Sequence, residues 1–125
     1  MINHYAHERD RFLGSLPFVI NHEFCLVHLS PSSSCFEGSA NFTDGSRLYF
    51  FEFLRMSGTK IERNKYRYHY LSDKGKLVFR YDNAPHYPKI SSHPHHKHLL
   101  EKVEESKGPG FIEVLNEIKD VLLGV

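Results

Sequence analysis

Lys65-Tyr66-Arg67-Tyr68-His69-Tyr70-Leu71, a turn at Ser72-Asp73-Lys74-Gly75, and Leu77-Val78-Phe79-Arg80-Tyr81-Asp82 form the stretch that decides the fold. Its first half alternates aromatic and charged residues. A period of two belongs to a strand, whose successive side chains point to opposite faces. Lys65, Arg67 and His69 share one face, and Tyr66, Tyr68 and Tyr70 the other. Tyrosine packs well with its hydroxyl at a rim, so the tyrosines are assigned to the core and the cations point outward. In the second half Leu77, Phe79 and Tyr81 share one parity, and Val78, Arg80 and Asp82 the other. One residue of slip at the turn would exchange the faces; the reading sets Arg80 beside the basic face.

Toward the N-terminus the pattern continues. Lys60 to Leu71 is preceded by a turn at Ser57-Gly58-Thr59 and a strand from Arg47 to Met56, apolar enough to be central. Thr43-Asp44-Gly45-Ser46 is a hairpin signal, because Asp-Gly supplies the positive φ of a tight turn. Cys35 to Thr43, weakened by Gly38, and Phe18 to Leu29 give two more strands. Residues 3 to 15 read as a helix stopped by Gly14 and Pro17. Toward the C-terminus, Pro85, Pro88 and Pro94 predict a loop over 83 to 98. Leu99 to Ser106 reads as a short helix, and Lys107-Gly108-Pro109-Gly110 as a break. Ile112, Leu115, Ile118, Val121 and Leu122 recur at helical spacing in an amphipathic helix from Phe111 to Leu123. The predicted fold class is α+β, a five-stranded antiparallel β-meander with N-terminal and C-terminal helices, in one domain over 1–125.

Composition agrees with a globular β-rich chain: 125 residues with ten Phe, seven Tyr and no Trp, and aromatics favour strands. Net charge is only +1 with histidines neutral, so an anion site must arise by local clustering. Residues 60 to 98 are rich in Lys and Arg, and the acidic residues collect after Glu101. Cys25 and Cys35 match no metal or redox motif; they read as buried thiols or a cross-strand disulfide. The charged first twelve residues give no signal sequence, and no apolar run reaches membrane-spanning length. The expected location is the cytoplasm, with no membrane partner.

Six of the ten histidines lie between Lys65 and His98. Imidazole titrates near neutrality, so His69, His86, His96 and His98 are candidates for proton transfer, with Asp82 to orient a ring. Lys65, Arg67, Arg80 and Lys97 are phosphate-clamp candidates, with Tyr68, Asn83 and His95 as further RNA contacts. His86 reads equally as a loop histidine bonded to a carbonyl. His93-Pro94-His95-His96-Lys97-His98 also invites a metal, but it has no Cys pair or HExxH spacing, and Lys97 would repel a cation. RNA cleavage fits better: one imidazole takes the ribose 2′-hydroxyl proton, another group protonates the leaving oxygen, and Lys or Arg stabilises the phosphate. No metal and no cofactor is required. The rivals are a non-catalytic RNA- or ribosome-binding protein and a His-rich metal-binding protein.

The runs K-Y-R-Y-H-Y (65 to 70), G-K-L-V-F-R-Y-D-N-A-P-H (75 to 86) and P-H-H-K-H (94 to 98) resemble the TumE-like proteins, the toxin partners of type II toxin–antitoxin pairs. The likeness extends to the layout of terminal helices, meander and T-D-G-S turn. It implies a cognate antitoxin as partner and RNA or the ribosome as target, with a homodimer as a further expected assembly. Inside the motifs it points to Lys65, Tyr68, His69, Arg80, Asp82, Asn83, His86, His95, His96, Lys97 and His98.

Overall fold

The computed structural model describes residues 1–85 and 91–125. Helix α1 (Ile2–Ser15) is followed by strands β1 (Val19–Ser30), β2 (Ser33–Phe42), β3 (Arg47–Ser57), β4 (Lys60–Leu71) and β5 (Leu77–Asp82), by the short β6 (His96–His98) and β7 (Val103–Glu105), and by helix α2 (Phe111–Leu123). Among the described residues the strands form one antiparallel sheet in chain order. The α+β class and the meander hold, but the sheet has seven strands instead of five. The two additions replace the expected end of the proline-rich loop and the expected helix over 99–106. They are three residues each, too short to carry a periodicity of their own.

Strands β2 to β5 each give one face to the core beneath the helices. Phe36, Ala40 and Phe42 of β2, Leu48, Phe50 and Leu54 of β3, Tyr66, Tyr68 and Tyr70 of β4, and Phe79 and Tyr81 of β5 are buried, with Leu13 of α1 and Phe111, Val114, Leu115 and Ile118 of α2. Phe111 meets the rings of Phe36 and Phe50 edge-on. The tyrosines therefore do face the core. A bulge between Tyr70 and Leu71 sets β5 so that Tyr68 lies opposite Tyr81, His69 opposite Arg80, and Arg67 opposite Asp82.

The inner face also contains one carboxylate. Glu52 is fully buried; it accepts hydrogen bonds from Tyr5 Oη at 2.6 Å and from Tyr68 Oη, with Arg9 Nε at 3.6 Å. Arg63 donates to Tyr68 Oη at 2.8 Å and to the carbonyls of Pro109 and Gly108 at 2.7 and 3.1 Å, and lies 3.9 Å from the centre of the Tyr66 ring. A buried charge is tolerated only when paired and hydrogen-bonded, and these phenols and guanidinium groups meet that condition. Burial and Glu52 push the Tyr68 phenol well above its ordinary pKa, so it remains a donor.

Gly38 permits the close approach of β1, β2 and β3. A Cβ there would lie 2.1 Å from the Glu23 carbonyl oxygen and 2.8 Å from the Phe50 ring. Gly38→Ala is expected to lower stability by about 1–3 kcal/mol, the cost of overpacking a filled interior. Urea unfolding measures it; an unchanged midpoint would contradict this packing.

The candidate active cleft on the open face of the sheet

The face turned away from the helices carries most of the ionisable residues of the three motifs. Pairing aligns its side chains in two rows across the strands. One row runs Cys25, Glu37, Phe51, Arg67, Asp82, His96, Glu105, and the next Glu23, Ser39, Tyr49, His69, Arg80, His98, Val103. Strand β6 is what brings the third motif to the second: Asp82 stands opposite His96, and Arg80 opposite His98.

Asp82 is the hub. Its Oδ1 lies 2.6 Å from His96 Nε2 and accepts from the Ala84 amide at 3.1 Å, while its Oδ2 is 3.3 Å from Arg80 Nε and 3.5 Å from His98 Nε2. His96 is buried, and its Nδ1 donates to the Pro94 carbonyl at 2.9 Å. A carbonyl only accepts, so Nδ1 bears a proton, and Nε2 faces the carboxylate. The His96 and His98 rings meet edge-on at 4.7 Å.

A cleft of about 480 Å³ opens beside this cluster, its walls including Lys65, Arg67, Arg80, Asp82, Asn83 and His98. Lys65 and Arg67 are exposed, and neither forms an ion pair with a described residue; Arg80 is held by Asp82. Asn83 braces the rim, accepting from the Tyr66 amide at 3.0 Å and donating to the Asn64 carbonyl at 3.0 Å. Burial, and then Arg80 and Arg67, push the His69 pKa below its ordinary value. Burial and Arg80 do the same to His98, against the opposing pull of Asp82.

Of the residues singled out from the sequence, Lys65, Arg67, His69, Arg80, Asp82, His96 and His98 share this face, and Asn83 lies at the cleft's edge. Three others lie toward the helices. Tyr68 is buried on Glu52. Lys97 pairs with Glu117 of α2 at 3.0 Å and lies against the Tyr81 ring. His95 Nδ1 is 2.6 Å from Tyr66 Oη, their rings stacked at 5.7 Å. Lys97 falls between His96 and His98, so strand alternation sends it to the other side. His86 lies outside the described residues. Cys25 is exposed and Cys35 half-buried, both free thiols; the expectation of two buried thiols or a disulfide does not hold. Sequence reasoning missed Phe51 and Glu37, which also line the cleft, because neither belongs to a motif; only the pairing register reveals them.

Asp82, His96 and His98 place one ligand atom each within 4.8 Å of one another, which calls for comparison with a metal centre. Ligands bound to zinc at about 2.1 Å stand roughly 3.4 Å apart in a tetrahedron. The 2.6 Å His96–Asp82 contact is closer than two ligands of one zinc ion stand, so a metal would have to part them, and Arg80 already supplies a positive charge to the same carboxylate. The donor set as arranged fits an ion cluster better than a metal cage.

The depressed histidines have a consequence for folding. Where the folded pKa lies below the unfolded one, the unfolded chain binds protons first, so acidification costs stability. His69 and His98 are expected to titrate below the ordinary histidine value near 6.5 in an NMR pH series, and stability to fall as pH drops through it. Titration of both above that value would refute the assignment.

Comparisons with curated proteins and with solved structures give no match. A scan against protein-family models matches Toxin TumE over residues 10–122, a span that includes all three sequence motifs and the whole cleft. The chain belongs to the TumE toxin family, and with it to the toxins of toxin–antitoxin systems.

Proposed function

We propose that this toxin is a metal-independent endoribonuclease working by histidine acid–base chemistry in the Arg67–Asp82–His98 cleft. One observation carries the reading: a single buried carboxylate contacts His96, His98 and Arg80 beside a cleft whose other cations, Lys65 and Arg67, form no ion pair with a described residue. Lys65, Arg67 and Arg80 seat the phosphodiester. His98, neutral at pH 7, takes the proton of the ribose 2′-hydroxyl, and Asp82 stabilises the imidazolium that results. The 2′-oxygen attacks phosphorus, the guanidinium groups stabilise the pentacovalent charge, and the bond to the 5′-oxygen breaks. His69 stands opposite Arg80. Bound phosphate offsets the repulsion of Arg80 and Arg67 there, so His69 takes up a proton and delivers it to the leaving oxygen. His96, buried behind Asp82, positions that carboxylate. Products are a 2′,3′-cyclic phosphate and a 5′-hydroxyl. Tyr68, His95 and Lys97 serve the interior in this scheme, and Asn83 shapes the rim.

A family of toxins implies a cognate antitoxin as partner. In this reading it covers the cleft, so antitoxin and RNA compete. The chain acts on RNA free or at the ribosome, in the cytoplasm.

Purified protein with RNA and a chelator tests the reading. Cleavage with 2′,3′-cyclic phosphate ends is expected, reduced about 10²- to 10⁴-fold by His98→Ala, the usual contribution of a general acid or base. Asp82→Asn is expected to act in the same direction. Uncut RNA across pH 5 to 9 would leave a binding protein, and cleavage abolished by the chelator would favour a metal mechanism. Lys65→Ala and Arg67→Ala are expected to weaken RNA binding and to flatten its salt dependence; an unchanged salt slope would remove both from the phosphate site.

A further inference from the structure

Beyond Arg67 the open face changes character. A second cleft of about 290 Å³ adjoins the first, sharing Glu37, Phe51 and Arg67, and it is completed by Glu23, Ser39 and Tyr49. Glu37 stands opposite Phe51, and Phe51 opposite Arg67; Ser39 stands opposite Tyr49. Two rings thus lie beside two carboxylates. Tyr49 is exposed and Phe51 half-buried, although sheet faces turned to water ordinarily carry polar residues. Glu23 and Glu37 are exposed, and neither forms an ion pair with a described residue.

We propose that this second cleft is a nucleobase subsite selective for guanine. The inference rests on the ribonuclease reading and names its substrate specificity. Carboxylates repel a phosphate, so the part of RNA that lies over Glu37 is a base edge. An ionised carboxylate only accepts hydrogen bonds. Guanine alone among the four bases offers an adjacent pair of donors, N1–H and the N2 amino group, on its Watson–Crick edge, and that pair matches a carboxylate bidentately. Phe51 and Tyr49 supply surfaces for stacking, the usual way a protein holds an unpaired base. Arg67 stands at the boundary. Strands are about 4.8 Å apart, so Glu37 is roughly 10 Å from Arg67 and 14 Å from Asp82 across the sheet. A base over Glu37 and Phe51 therefore delivers its own phosphate to the cations.

Two readouts separate this inference from the reading beneath it. The first is binding of guanosine, adenosine, cytidine and uridine 3′-monophosphates to the full chain, followed by NMR and calorimetry, which needs no catalysis. Guanosine monophosphate is expected to bind on the order of tenfold to hundredfold tighter than the others, the discrimination of one bidentate contact. Glu37→Gln removes that preference, and Phe51→Ala weakens all four. The second is cleavage of oligoribonucleotides with one guanosine, inosine or adenosine at a fixed position. Inosine lacks the N2 amino group and is expected to fall between the other two. Guanine-selective binding without any cleavage keeps the subsite and sinks the ribonuclease. Cleavage with no base preference, unaltered by Glu37→Gln, sinks the subsite and keeps the ribonuclease. Displacement of guanosine monophosphate by equal concentrations of arginine amide would show that the carboxylates merely attract cations, and would overturn the proposal.

Discussion

A strand has two faces, and the register between β4 and β5 decides what each face of this protein does. With Arg67 opposite Asp82 and His69 opposite Arg80, three rings of β4 and two of β5 turn toward the helices and the ionisable groups turn away. A slip of one residue would carry Arg80 and Asp82 under α2 and put Phe79 and Tyr81 in water. Burying two charged groups there would cost several kcal/mol each. Exposing two aromatic side chains would forfeit roughly 2–3 kcal/mol apiece. The alternative register is therefore far out of reach, and the cluster on Asp82 is fixed by the same energy that builds the core.

Both faces carry a carboxylate at their centre, and the surroundings give them opposite characters. Glu52 lies under the helices among Tyr5, Tyr68 and Arg9. Its partners are phenols whose protons burial holds in place, so the group is structural. Asp82 lies on the open face against two imidazoles and a guanidinium. Imidazoles exchange protons near neutrality, so it is at this anion that the proposed proton transfer is placed. Arg63 belongs to the first network; by tying the carbonyls of Gly108 and Pro109 to Tyr68, it fixes where α2 begins.

The long strands, both terminal helices and the family resemblance were readable in the sequence because each extends over enough residues for its pattern to repeat. The outward orientation of Lys65, Arg67 and His69 followed from alternation once the tyrosines were assigned to the core, whereas that of Arg80 and Asp82 required a choice of register, which the bulge between Tyr70 and Leu71 fixes. Strands β6 and β7 were not readable: three residues each carry no period, and only pairing makes them strands, β6 against β5 and β7 against β6. Lys97, His95 and Tyr68 were grouped with the site by chemical type, although alternation already turned Tyr68 inward; the face of Lys97 comes from the pairing of β6 with β5. The same limit hid Glu37 and Phe51. They are far from the histidine motifs in sequence and reach the cleft through two strand pairings.

The net charge of +1 conceals how the open face is organised. Along one row the residues run Glu37, Phe51, Arg67, Asp82, His96, from acidic through apolar and cationic to a clustered anion. At physiological salt an exposed charge is felt over about 8 Å, less than two strand spacings. Each strand of the row therefore presents its own local potential, and the bulk charge averages over distances that a bound nucleotide would not sense. A polybasic surface would hold RNA anywhere along its backbone. On a face that changes sign every strand or two, the attraction for an anion is confined to the cleft lined by Lys65, Arg67 and Arg80, which is where the proposal seats the phosphate. Position follows from where the attraction stops as much as from where it is strongest.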